Sequence, residues 1–313
     1  MERKEGHSSA RYLVYGALAA MTARTVTAPL ERAKVLQQAA MAGKLLPLGL
    51  SRGSSRSLLG TLGFMWRSPE PLVRSLWKGN LLNATRVVPG SAFRFFAFDG
   101  FQRLLYPSAT PPATAGARIR KRLVCSSLAA SSSAVLTYPL DFARLRWTVQ
   151  TPHLATHGLH YGASLLQMFR SIAAEEGPVV FFRGCLLSIA GLVPYVTANF
   201  TLYGTLRERL CQHNLALGRP EQLSTPQALA LGGLSGAAAM TLVFPLDPVH
   251  TRLIVEGYRT KTSAPSVGGV VKAMWREEGF RGFSRGLWPS YLKVVPSQAI
   301  NWAVIELCAR YIG

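Results

Sequence analysis

Three carboxylates each stand two residues after a proline and three before a base: Glu31 between Pro29 and Lys34, Asp141 between Pro139 and Arg144, and Asp247 between Pro245 and His250. At i, i+3 spacing the acid and the base share one helical face. A proline inside a helix removes a backbone hydrogen bond and bends the rod. Three bent helices can converge at one end of a bundle, where each acid reaches the base of the next and the ring of pairs forms a removable plug. The prolines lie 110 and 106 residues apart, so one structural unit is used three times. The alternative is three unrelated surface ion pairs, worth about 0 to 1 kcal/mol each, whose common register would be accidental.

A second group of residues points to binding. Arg24, Arg86, Arg94 and Lys293 sit inside apolar stretches with no acid close by in sequence. A charge at the centre of a membrane helix costs about 2.5 to 3.5 kcal/mol on insertion scales, so each is a candidate functional residue. Arg86 and Arg94 are eight residues apart and share roughly one helical face. Such a cluster calls for an anion of several charges, and guanidinium forks fit phosphate oxygens well. Arg86 lies early in its span, where an arginine also reaches lipid headgroups. No nucleophile with its base, no metal-ligand cluster and no Gly-rich phosphate loop is present, so neither an enzyme nor a metal or cofactor is expected.

The elements that carry these residues are apolar. The chain has 313 residues, 49% of them hydrophobic and only 16% charged, with a mean hydropathy of +0.18. That is too few charges to solvate a water-soluble surface of this size. The net charge is +20, but the basic residues flank apolar segments rather than clustering with aromatics, which excludes a nucleic-acid module and favours anionic lipid and a small anionic solute. Cys125, Cys185, Cys211 and Cys308 are widely spaced, so neither a zinc site nor a disulfide framework is suggested, and a reducing compartment is expected. Residues Met1 to Arg11 include Glu2 and Glu5 and no apolar core, unlike a secretory signal or an acid-poor transit peptide, so targeting is expected to be internal.

Long apolar runs predict six spans near Tyr12 to Gln38, Leu81 to Tyr106, Leu123 to Val149, Cys185 to Cys211, Ala228 to Val255 and Leu287 to Ile312. Each exceeds the roughly 20 residues needed to cross the hydrocarbon. Each also contains Gly, Ser, Thr or a charge, as helices packed around a wet cavity do. Within each pair of spans lies an amphipathic segment: Leu58, Leu59, Leu62, Met65 and Trp66; then Leu165, Leu166, Phe169 and Ile172; then Val267, Val270, Val271, Met274 and Trp275. These predict interfacial helices. Linkers from Pro107 to Arg118 and from Leu215 to Pro226 separate units 1–112, 113–219 and 220–313.

After each interfacial segment comes a second signature: Glu70 through Trp77-Lys78-Gly79, Glu176-Gly177 through Phe182-Arg183-Gly184, and Glu278-Gly279 through Ser284-Arg285-Gly286. With the proline motif, these resemble the mitochondrial carrier family over essentially the whole chain. The resemblance implies an all-α membrane protein of six transmembrane helices in three pseudo-threefold repeats, each with a short surface helix on the matrix side. It implies matrix-gate pairs Glu31 with Arg144, Asp141 with His250 and Asp247 with Lys34. It also matches Gln38 to the glutamine that braces this network, whereas Thr148 and Ile254 in the equivalent places cannot do so. His250 stands where relatives have Lys or Arg, so a weaker, pH-sensitive closure is expected there; Pro248 in the same turn is also unusual. On the opposite face a cytosolic gate would use Asp99 with Gln102 and Arg103, Tyr203 with Arg207, and Glu306 with Arg310, a weakened version of the family pattern.

The same comparison places Arg24, Arg86 and Lys293 at the basic cavity positions of adenine-nucleotide carriers, and Arg94 at the contact point on the second helix. Gly191-Leu192 matches a contact point that leaves a flat slot for an adenine base, although Gly191 also permits close helix packing. Tyr195 and Asn199 follow one and two turns on. The implied function is exchange of an adenine-containing phosphorylated anion, coenzyme A or an adenine nucleotide, across the mitochondrial inner membrane by alternating access. The working unit would be a monomer in contact with anionic lipid such as cardiolipin, without a cofactor. Two alternatives stay open: a carrier of another anion, phosphate or carboxylate, and a non-transporting scaffold of the same fold, for which His250, Gly204 and Ser284 speak.

Overall fold

The computed structural model describes residues 15–40, 57–107, 115–152, 164–216, 223, 225–256 and 266–311, and every regular element among them is helical. The first rod is α1 (15–26) continued by α2 (Ala28–Ala40) after a break at Thr27. Pro29 thus falls in the first turn of α2, where its missing N–H has no intrahelical partner to lose. The Thr25 carbonyl, four residues before Pro29, accepts from Trp77 Nε1 at 2.7 Å.

Three short helices follow, α3 (Leu58–Trp66), α4 (Leu72–Trp77) and α5 (Asn80–Thr85), and α5 meets α6 (Val87–Leu105) at Arg86. The second repeat holds α7 (Ala115–Val149), α8 (Leu165–Glu176), a 3-10 turn (Pro178–Phe182) and α9 (Cys185–Ala216). The third holds α10 (Thr225–Val243), α11 (Leu246–Glu256), α12 (Val267–Glu278), the single turn α13 (Phe280–Phe283) and α14 (Leu287–Tyr311).

The three proline sites differ. At Pro245 the rod bends by 56° between α10 and α11, whereas α7 runs through Pro139 unbroken. Pro248 lands in the first turn of α11, again where a proline costs no backbone bond, so it fits the third repeat without distortion. By length and composition, 116–149 and 178–216 can each cross a membrane, and the bent pair 230–243 with 246–255 makes a third span. The other three rods are broken at Thr27 or Arg86, or carry Lys293, Glu306 and Arg310, as helices facing a wet cavity do.

Serines cap all three surface helices: Ser57 on α3, Ser164 with a full capping box to Gln167 on α8, and Ser266 on α12. Each buries one methionine inward, Met65, Met168 or Met274, and turns Leu59, Trp66, Leu166 or Trp275 outward, where lipid would lie.

Glycines of the second signature lock one repeat to the next. Gly79, Gly184 and Gly286 have φ of 89°, 86° and 82°, a region that L side chains enter at a cost of about 1 to 2 kcal/mol. A Cβ at Gly79 would overlap Thr148 Oγ1, one at Gly184 would stand 3.2 Å from His250 Cδ2, and one at Gly286 3.0 Å from Lys34 Cγ. In each case the glycine presses on the proline-bearing helix of the following repeat. Gly79→Ala therefore combines backbone strain with overpacking and is expected to destabilise the protein by about 2 to 4 kcal/mol. A thermal melt of the purified variant that matched wild type would contradict this contact.

Candidate functional site

Helices α2, α7 and α11 converge, and their acids meet bases on neighbouring rods. Glu31 accepts from Arg144 Nη2 at 2.7 Å through one oxygen and from Lys293 Nζ at 2.6 Å through the other. Lys34 Nζ lies 2.8 Å from Asp247 Oδ2, and Gln38 Nε2 donates to the same oxygen at 2.7 Å. Gln38 is fully buried, and its own oxygen accepts from Thr251 Oγ1 at 2.8 Å, so its amide is fixed at both ends.

The third pair departs from expectation. Asp141 is ion-paired with Arg86, not with His250. His250 Nε2 instead lies 2.8 Å from the Tyr138 hydroxyl, which donates to the Arg183 carbonyl at 2.7 Å. Tyr138 directly precedes Pro139, and its anchored hydroxyl offers the imidazole a partner inside the helix interface. The pH-sensitive link expected between Asp141 and His250 is therefore absent from this arrangement.

Beneath this ring lies another that sequence reasoning did not assign. Arg32 Nε donates to the Thr148 carbonyl at 3.3 Å, Arg146 Nε to that of Ile254 at 3.3 Å, and Arg252 Nε to that of Gln38 at 3.1 Å. Each acceptor is the ninth residue after its own repeat's proline, so the three bonds run round the bundle in one sense. Arg146 is wholly buried, packs on the Phe142 ring at 4.5 Å and binds both oxygens of Glu176. Arg252 meets Glu278 at 2.6 Å, and Lys78 meets Glu70 at 2.7 Å. Burial lowers the Lys78 ammonium below the usual lysine range, with Glu70 opposing the shift. A base seven residues after the second and third prolines was the available signal; in the first repeat that place is Leu36, and Arg32, one turn earlier, serves instead.

A cavity of about 240 Å³ lies beside the ion pairs, lined among others by Lys34, Gly191, Leu192, Tyr195, Asp247 and His250. A Cβ on Gly191 would meet only Leu246, at 3.7 Å, an ordinary contact. Close packing therefore does not require glycine here, and its effect is to leave room. Asn199 lies against Gly236 of α10, and the lining does not include it. Arg24 donates from Nη1 to the Asn83 carbonyl and Oδ1 at 3.3 and 3.2 Å. Arg94 is exposed, yet close enough to Arg24 and Arg86 for its charge to act on both. Among the described residues, neither Arg24 nor Arg94 has a carboxylate partner.

At the other end, Asp99 pairs with Arg103 at 2.8 Å one turn along the same helix, with both side chains mostly exposed. Gln102 and Tyr203 are half-buried and Arg207 is exposed. The side chains of Glu306 and Arg310 lie outside the described residues. Among the described residues no ion pair joins two helices at this end, and the interhelical pairs lie where α2, α7 and α11 converge.

A family model described as mitochondrial carrier protein matches residues 5–109, 116–214 and 221–313, one copy for each repeat. A mitochondrial adenine nucleotide transporter of Arabidopsis thaliana is 32% identical over 323 residues, covering 98% of this chain and 88% of its own length. A human mitochondrial adenyl nucleotide antiporter is 30% identical over 296 residues, 95% of this chain. A calcium-dependent mitochondrial ATP-magnesium/phosphate carrier of Arabidopsis thaliana is 30% identical over 94% of this chain. The chain spans 58% and 55% of the length of these last two relatives.

Proposed function

The chain belongs to the mitochondrial carrier family, and from that premise we propose that it exchanges an adenine nucleotide across the inner mitochondrial membrane by alternating access. The observation that carries this reading is a charge imbalance: Arg24, Lys34, Arg86, Arg94, Arg144 and Lys293 gather around only three carboxylates, Glu31, Asp141 and Asp247. The surplus of cations suits a polyphosphorylated anion, and guanidiniums grip phosphate bidentately. The slot beside Gly191, Leu192 and Tyr195 suits a flat base.

In this mechanism the nucleotide enters from the cytosolic mouth and is drawn to Arg24 and Arg94. Its phosphates then compete with Glu31 and Asp141 for Lys293 and Arg86. Binding energy of the solute offsets the loss of the ion pairs, and the helices part on the matrix side while closing on the other. A solute biases such an equilibrium only through its differential affinity for the states it visits. Coenzyme A shares the same chemical handles, but the relatives' names speak of adenine nucleotides and ATP-magnesium. A monomeric working unit, and cardiolipin at the surface helices α3, α8 and α12, complete the proposal.

Reconstituted exchange tests it. Liposomes preloaded with ATP, ADP, AMP, coenzyme A, phosphate or a dicarboxylate are offered each compound labelled outside. Adenine nucleotides are expected to exchange only against a loaded counter-solute. Movement of phosphate or dicarboxylate alone would favour a carrier of another anion, and no movement by a folded protein would favour a scaffold.

A further inference from the structure

The closed ring breaks its own threefold symmetry at one place. Lys34 and Arg144 occupy equivalent positions, five residues after their prolines, and each meets the acid of the preceding repeat, Asp247 and Glu31 respectively. The third equivalent is His250, which is turned to Tyr138. Asp141 would be left without a base, but Arg86 from the first repeat occupies it.

Arg86 reaches this position from the joint where α5 ends and α6 begins. Three further guanidiniums, those of Arg24, Arg94 and Arg144, lie close enough to repel it, while Glu31 attracts it and the direct contact with Asp141 holds it in place. A guanidinium fork binds a carboxylate or a phosphate with the same two-pronged geometry. It can therefore hold Asp141 or a phosphorylated solute, one at a time.

We propose that Arg86 is a latch of this carrier's gate, a second tie between the first and second repeats that gives Asp141 the charge partner His250 does not, and that the same side chain couples anion capture to release of Asp141. The proposal rests on the transport reading for its second half only; the latch itself is a property of the empty carrier. In this arrangement two junctions of the ring are closed by bases of the proline-bearing helices, the junction between the second and third repeats is held by Tyr138 and His250, and Asp141 is tied back to the first repeat at the joint of α5 and α6. One consequence is that the charge of Asp141 stays compensated whatever the protonation of His250. A guanidinium, unlike an imidazole, keeps its charge across the physiological range.

The test is a set of thermal melts on purified carrier with no solute added, comparing wild type, Arg86→Gln, Asp141→Asn, the double variant, and Arg86→Gln combined with His250→Arg. Each single change is expected to lower the melting midpoint, and the double variant to fall no further than the lower single. His250→Arg is expected to restore at least half of the loss in the Arg86→Gln background, because an arginine at 250 has the reach that Arg144 has at the equivalent place. That rescued protein should still exchange adenine nucleotide poorly, since the cavity cation is gone. Additive losses in the double variant, or a midpoint unmoved by Arg86→Gln, would overturn the latch and leave Arg86 a solute contact only.

If Arg86→Gln does not yield folded protein, Arg86→Lys takes its place in the same cycle. A smaller loss that disappears in the Asp141→Asn background is then expected, and additivity again overturns the proposal. Because these melts contain no solute, they succeed or fail independently of which anion the carrier moves.

Discussion

Arg146→Met is expected to lower the stability of the purified carrier by about 3 to 5 kcal/mol, the cost of removing one partner of a buried ion pair. Arg146 is wholly buried, binds both oxygens of Glu176, lies over the Phe142 ring and donates to the Ile254 carbonyl of the next repeat. Methionine fills much of the volume but leaves a carboxylate that is only 3% exposed without its nearest cation. Removing both charges, as Arg146→Met with Glu176→Leu, is expected to cost less than the single change, because the carboxylate is no longer stranded and its second cation, Arg183 at 3.6 Å, is 18% exposed and reaches water. Thermal melts of both variants check this; because both lack the bond to Ile254, a double variant less stable than the single would mean that the stranded carboxylate is not the main cost.

Glu31→Ala is expected to act where the proline-bearing helices converge. Glu31 holds two bases, Arg144 on α7 and Lys293 on α14. Removing it leaves both cations facing each other and Lys34. Lys293 is 32% exposed, so water recovers part of the loss, and the expected cost is about 2 to 3 kcal/mol, below that of the fully buried pair. Asp99→Asn, at the other mouth, is expected to cost no more than about 0.5 kcal/mol, since its partner is an exposed residue on its own helix. Equal losses for the two changes would contradict the stronger coupling assigned to Glu31.

Much of this architecture was legible in the sequence because charge is expensive in a membrane. The acids two residues after Pro29, Pro139 and Pro245 had to find cations, and their register put Glu31 near Arg144 and Asp247 near Lys34, where the structure has them. What the register could not specify was a choice among competing partners. Tyr138, next to Pro139, takes His250 by a hydrogen bond, and Asp141 turns to a residue 55 positions earlier. Arg86 and Lys293 read as cavity cations because they lie in apolar runs; that both rest on gate carboxylates depends on how the helices pack.

Backbone details were hidden for a similar reason. The three prolines look alike in sequence, yet Pro29 and Pro245 stand at breaks and Pro139 does not. The lower ring escaped assignment because its acceptors are main-chain carbonyls of Thr148, Ile254 and Gln38, which have no side-chain signature. Pro248, which looked disruptive inside a motif, falls in a first turn where proline is at home.

The central claim, that the converging rods must separate for solute to pass, is tested most directly by tying them together. Cysteines placed at Lys34 and Asp247, whose charged atoms lie 2.8 Å apart, in a background without Cys125, Cys185, Cys211 and Cys308, can be joined by a short reductant-cleavable cross-linker in proteoliposomes. Nucleotide exchange is expected to stop when the link forms and to return when it is cleaved. Exchange that continues undiminished through a fully cross-linked population would contradict the account.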